Sequence, residues 1–188
     1  QLKGCVKDAT EFNAILTSYG FATTLMTDSQ CTKQAILAKL EELASQLTAG
    51  SILGWTNSSH GSKVQDANGD EPDKQDEVIV TVDGKCIIDD EIRNIANKVK
   101  ARGASFFMIS DSCHSGTLLS GIKKAARSRV KFVDPSLLNM LPTNEALPTT
   151  GFGSGIGGEI LLAGCKSNEY SYDAYIDKTY MGALSYYA

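Results

Sequence analysis

The sequence has no apolar run approaching the roughly 20 residues a membrane-spanning helix requires, and it does not open on the basic-then-apolar pattern of a secretory signal. No membrane partner is therefore expected. Basic charge is not in excess either: 18 Lys and Arg stand against 22 Asp and Glu, a formal net charge of -4. Nucleic acids select basic stripes, so no nucleic-acid partner is expected. Cysteines are few and unpatterned. Cys5, Cys31, Cys86, Cys113 and Cys165 are an odd number without C-x-x-C spacing, which argues against a disulfide framework and a structural zinc site. Reduced thiols fit an intracellular, cytoplasmic setting. With 42% apolar and 21% charged residues, the 188-residue chain has the composition of one globular domain rather than of a disordered segment or a coiled coil.

Hydrophobic spacing supplies the elements. Phe12, Ile15 and Leu16 predict a helix over 8–18, and Phe21-Ala-Thr-Thr-Leu-Met-Thr has the content of a short strand closed by Asp28 or Ser29. Ile36, Leu37, Leu40, Leu43 and Leu47 predict a helix with Thr32 as N-cap and Gly50 as stop. Ser51 to Trp55 and Ala104 to Ile109 are uninterrupted apolar runs, as in strands covered on both faces of a parallel sheet. Between them, Ile92, Ile95, Ala96 and Val99 mark one face of a further helix. Alternating strands and helices imply an α/β sandwich. Residues 121–158, basic and then rich in Pro and Gly, read as a long surface connection. Glu159 to Cys165 reads as another buried strand, and Met181 to Ala188 as the start of a helix.

The chemistry concentrates at two strand ends. Phe106 to Ile109 runs into Ser-Asp-Ser-Cys113-His-Ser-Gly, and Ser51 to Trp55 runs into Thr-Asn-Ser-Ser-His60-Gly61. Neighbouring parallel strands would bring Cys113 and His60 to one sheet edge. A thiol is mostly protonated at neutral pH, so a nucleophilic Cys113 needs His60 to take its proton. The backbone N–H groups of Gly61 and Cys113 are candidate donors to an oxyanion.

The Ser-x-His-Gly and Asp-x-Cys-His-Ser-Gly blocks, in that order and about 50 residues apart, resemble the caspase-like clan of cysteine peptidases, and within it the metacaspases. Leu2-Lys-Gly-Cys-Val-Lys-Asp8-Ala, the acidic 70–76 loop, Cys86-Ile-Ile-Asp-Asp-Glu-Ile, and Gly164-Cys-Lys-Ser-Asn-Glu through Gly182-Ala-Leu-Ser-Tyr extend the likeness over nearly the whole chain. The resemblance implies a caspase-hemoglobinase fold, α/β, with a mainly parallel six-stranded sheet between helices. It implies a p20-like region over 1–120, a linker over 121–158 and a p10-like region over 159–188. It also implies that a first central strand and a C-terminal end lie outside this sequence.

The same resemblance implies an endopeptidase with Cys113 as nucleophile, His60 as base and acid, and protein or peptide substrates cut after Arg or Lys. Asp8, Ser58 and Asp111 match its basic-residue pocket, where two carboxylates favour a guanidinium and repel an Asp side chain. Cys5 is expected to line that pocket near Asp8. Calcium is implied as an activator on Asp76, Asp89 and Asp90, hard oxygen ligands, with Ser120 where the family places a further Asp. No organic cofactor is expected, and a monomer is. Self-cleavage is expected in the exposed Lys123, Lys124, Arg127 and Arg129 segment.

Plainer readings accompany each assignment. Cys113 alone would be a core thiol, Asp8 a helix cap, Asp111 a turn former, and Asp89 and Asp90 partners of a helix dipole. His114, adjacent to Cys113, points to the opposite face and is expected to be structural. Asp66, Asn68, Asp70 and Glu77 imitate an EF-hand loop, but Glu71 stands where Gly is required. Rival functions are a non-catalytic scaffold or calcium-responsive binding module, and a transition-metal site on Cys113, His114 and His60.

Overall fold

The computed structural model describes residues 2–65, 75–113, 129–137, 159–163 and 171–187. Helix α1 (Cys5–Ser18) buries Phe12 and, in its first turn, Asp8. It ends where Gly20 takes φ +86°, the left-handed conformation that glycine adopts without strain. Residues 21–27 form no strand, contrary to expectation. Nothing among the described residues pairs with that segment, and β character without a ladder partner is not a strand. Its Phe21 ring instead meets Phe107 edge-on, with centroids 5.9 Å apart.

Helix α2 (Lys33–Gln46) begins as expected, the Thr32 side chain accepting from the Ala35 amide at 3.2 Å. Strands β1 (Ile52–Ser58) and β5 (Ser105–Asp111) run parallel, in register from Ile52 opposite Ser105 to Ser58 opposite Asp111. Strand β7 (Glu159–Ala163) pairs parallel with the other side of β5. Helix α3 (Asp89–Ala101) buries Ile92, Ile95, Ala96 and Val99, the stripe its spacing predicts. These side chains share one core with Leu40 and Ala44 of α2, Leu53 of β1, and Phe106 and Met108 of β5. Side chains alternate across a strand, so Ser58 and Asp111 face the opposite side, where α1 and helix α4 (Ala183–Tyr187) pack. Helices thus cover both faces of a parallel sheet, the caspase-hemoglobinase arrangement.

Among the described residues the parallel sheet has three strands, and two further sheets are antiparallel. One holds β2 (Gly61–Gln65), β3 (Gln75–Val80) and β4 (Cys86–Ile88); the other holds β6 (Arg129–Val130), β8 (Tyr172–Ile176) and β9 (Thr179–Gly182). Two more corrections follow from packing. Among the described residues strand β7 is an edge, and Ile160, Leu161 and Leu162 are exposed rather than buried. Residues 121–158 are not all surface connection, because Lys131 is fully buried. A lysine enters an interior only where opposite charge and hydrogen bonds replace water, which points to the site itself.

Candidate active site

The parallel register sets the site. Ser58 and Asp111 are the last paired residues of β1 and β5, so His60 and Cys113 each lie two residues beyond the same sheet edge. Gly61 opens β2 and presses against the backbone of Cys113: a Cβ there would lie 1.9 Å from the Cys113 carbonyl oxygen. Only glycine permits that approach. The amides of Gly61 and Cys113 converge on a single acceptor, the carbonyl oxygen of Lys131, at 2.8 and 3.3 Å. Two backbone donors on one carbonyl is the arrangement that stabilises an oxyanion.

The Cys113 thiol is fully buried; it donates to the Ser171 carbonyl at 2.9 Å and accepts from the Ser171 amide at 2.6 Å. Both contacts tie the sulfur to the backbone of Ser171. His60 is half-buried. Its Nδ1 is inaccessible to solvent and has no hydrogen-bond partner among the described residues, which leaves a ring nitrogen available for proton transfer. Burial lowers the His60 pKa below its ordinary 6.5, and the Lys131 ammonium among nearby charges lowers it further, while Asp173 opposes them.

Asp8, Ser58 and Asp111, the three residues expected to form the basic-residue pocket, converge on the Lys131 side chain. Its Nζ lies 3.2 Å from Asp8 Oδ2, 2.9 Å from Ser58 Oγ, and 3.2 Å from both Asp111 Oδ1 and the Asp111 carbonyl. Both carboxylates and the ammonium have no solvent exposure. The carboxylates are held in turn: Asp8 accepts from Ser58 Oγ at 2.7 Å and from the Gly182 amide at 2.9 and 3.0 Å. Asp111 accepts from the Ser185 amide and hydroxyl at 3.2 and 2.9 Å, and from Ser171 Oγ. A Cβ at Gly182 would fall 1.9 Å from Asp111 Oδ2 and 2.4 Å from Lys131 Nζ, so glycine forms the wall. Cys5 stands beside Ser58, its thiol pKa pushed up by burial.

Several of these parts were not singled out in the sequence. Lys131 lies in the stretch expected to be a linker, and nothing in the sequence assigns a role to Ser171, Gly182 or Ser185. Asp173 was also missed: its buried carboxylate accepts from the Lys3 and Gly4 amides at 2.7 and 3.0 Å, fixing the start of α1 and hence Asp8. Lys131 is one of five Lys and Arg between positions 123 and 131, and nothing in the sequence separates it from the other four. The serines carry no such signal, because sequence does not reveal which hydroxyl reaches a carboxylate.

The three carboxylates expected to hold calcium are differently engaged. Asp90 Oδ1 pairs with Arg93 Nη1 at 2.6 Å, and Asp89 Oδ2 lies 3.6 Å from Arg93 Nη2, so an internal cation already neutralises the helix start. Asp76 is buried on β3. Among the described residues no group of three or more His, Cys, Asp or Glu side chains is arranged to hold a metal. Residues 66–74, just ahead of Asp76, lie outside the described residues, and no step below passes through the ion. His114, Ser120, Cys165 and the Asp66 to Asp70 loop lie outside the described residues.

The α/β fold brings a cysteine and a histidine from adjoining parallel strands to one sheet edge, beside paired backbone donors. The family described as "Metacaspase, peptidase C14 domain" matches residues 1–121. The chain belongs to the metacaspase family. It is 29% identical over 233 residues to Metacaspase-1 of Saccharomyces cerevisiae, covering 99% of this chain and 54% of that protein. It is 34% identical over 163 residues to Metacaspase-9 of Arabidopsis thaliana, covering 79% of this chain and 50% of that one. The chain therefore spans about half the length of the curated relatives it matches. A crystal structure of a Geobacter sulfurreducens protein superposes with a TM-score of 0.71 at 26% identity, covering 98% of this chain and 70% of that one.

Proposed function

We propose that the protein is a cysteine endopeptidase that cleaves peptide bonds after Arg or Lys. The observation that carries this reading is the seat of Lys131, whose ammonium lies between Asp8 and Asp111 while its carbonyl receives the Gly61 and Cys113 amides. In the proposed reaction His60 takes the Cys113 proton and the sulfur attacks the carbonyl of the basic residue. The two amides hold the oxyanion, and His60 returns the proton to the leaving nitrogen. Water then hydrolyses the thioester. Specificity comes from charge, since a guanidinium or ammonium gains charge-assisted hydrogen bonds that an Asp side chain would replace with repulsion.

Removing Asp111 as Asp111→Ala should lower kcat/KM for an Arg peptide by about 10- to 100-fold, the scale of losing a charged hydrogen bond of about 1.5–3 kcal/mol. Fluorogenic Arg, Lys and Asp peptides measure it, with Cys113→Ala as the inactive control. Unchanged efficiency on the Arg peptide refutes the assignment. Titrating calcium in the same assay tests activation by that ion, which requires Arg93 to yield Asp90.

A further inference from the structure

The first turn of α3 carries three consecutive acids, and the chain answers them with cations of its own. Glu91 accepts from the Ile88 amide at 3.0 Å and pairs with Lys33 of α2 at 2.8 Å. Asp89 and Asp90 share Arg93, one turn on, whose Nη1 lies 2.6 Å from Asp90 Oδ1 and whose Nη2 lies 3.6 Å from Asp89 Oδ2. Arg93 and Asp90 are 5% and 2% exposed, so the pair lies inside the protein rather than on a solvated face. Asp76 belongs to the same neighbourhood. The pairing of β3 with β4 ends where Val78 stands opposite Ile88, which leaves Asp76 and Asp90 each two residues beyond, at the same end of the sheet. Buried carboxylates gathered at one place require a cation.

We propose that Arg93 is a built-in counter-ion that takes the place of calcium at Asp89 and Asp90, so that the ion neither binds there nor is needed to brace the site. Distance and charge both lead to this. A bound calcium stands about 2.3–2.6 Å from its carboxylate oxygens, and Arg93 Nη1 already fills that place against Asp90 Oδ1. Calcium arriving at that oxygen would meet a guanidinium that cannot lose its charge and would have to expel it from a buried pair. The link to catalysis runs along β3. That strand leads from Asp76 to Ile79, which is paired with Gly61, and to Val80, whose amide donates to the His60 carbonyl at 2.9 Å. A permanent cation at the Asp76 end therefore holds the strand that seats His60 and Gly61, and Arg93 is a positioning residue. The binding claim stands by itself; the positioning role rests on the peptidase reading above.

Calorimetric titration of calcium chloride into chelator-treated, full-length protein tests the binding claim without reference to activity. The unaltered protein and Asp90→Asn should give the same isotherm, because calcium held at any other residues appears in both. Arg93→Gln removes the charge and should gain a calcium site at least about 100-fold tighter, the scale set by no longer having to break a buried ion pair. Adding Asp90→Asn to it should abolish that site. On a fluorogenic Arg peptide, Arg93→Gln with chelator should lose kcat several-fold with KM little changed, since His60 and Gly61 act in the chemical step, and calcium should restore it. The double variant should lose kcat and not recover. A calcium site in the unaltered protein that Asp90→Asn removes overturns the proposal, and this comparison holds even where Arg93→Gln does not fold. A folded Arg93→Gln that gains no site overturns it as well. A kcat loss that bound calcium does not restore overturns the positioning role alone. No cleavage of the Arg peptide by any form overturns the peptidase reading and leaves the calorimetric result standing.

Discussion

At the scale of single residues, the site is a set of backbone and carboxylate positions held by short-range contacts, and its titration should report the occupant. His60 is kept neutral by burial first and by the Lys131 ammonium among its neighbours. Because the folded imidazole gives up its proton more readily than the unfolded one, acidification below about 6.5 favours the unfolded chain, and stability returns above it. In Cys113→Ala protein, NMR of the His60 ring should give a midpoint below that value, and adding Lys131→Gln should move it upward without restoring it fully, since burial remains. An unchanged midpoint would remove Lys131 from the electrostatics of the base. Ser62 offers a second readout. Ser62→Ala deletes its bond to the Val133 carbonyl, worth about 0.5–1.5 kcal/mol, so peptides with two residues after the cut should be cleaved roughly 2- to 10-fold less efficiently. Peptides with only a fluorophore there should be unaffected, and equal losses on both would place the effect elsewhere. His60, Gly61, Cys113, Asp8, Ser58 and Asp111 were legible in the sequence because strand ends and paired motifs announce them. Ser62, Ser171 and Ser185 were not, because their roles are fixed by distances across more than 50 residues of chain.

At the scale of elements, legibility followed periodicity. The stripes of α2 and α3 and the apolar runs of β1 and β5 appear where spacing puts them, to within a few residues at each end. The antiparallel strands were missed because their residues were read for charge or as motif blocks rather than for alternation. The β8–β9 hairpin shows what that reading overlooked. Asp177 and Lys178 connect the two strands with φ +46° and +66°, the left-handed pair of a tight two-residue turn, in which Asp-Gly is favoured and lysine is strained. Lys178→Gly should therefore raise stability by about 0.5–1 kcal/mol, most of the left-handed penalty less the entropy of glycine. A higher urea midpoint at unchanged slope is the expected result. A lower one would mean that the lysine side chain contributes more than its backbone costs.

At the scale of the whole molecule, Lys131 is a junction. Its side chain reaches α1 through Asp8 and the ends of β1 and β5 through Ser58 and Asp111, and its backbone reaches Gly61, Cys113 and Ser171. Removing the ammonium leaves two fully buried carboxylates without their cation, a change that costs about 3–5 kcal/mol where one partner of a buried pair is deleted. The Cys113→Ala, Lys131→Gln protein should accordingly melt well below Cys113→Ala alone. The loss should be recoverable by chemistry rather than by sequence. Argininamide brings a guanidinium to the vacated seat, and a ligand present at 100 times its Kd adds about 2.7 kcal/mol to the state that binds it. The melting temperature of the double variant should therefore climb with argininamide and stay flat with aspartamide. Cys113→Ala, whose seat is filled by its own lysine, should respond to neither. Equal shifts in both proteins would mean that the ligand acts elsewhere, and no shift in either would mean that the acidic seat does not select basic side chains.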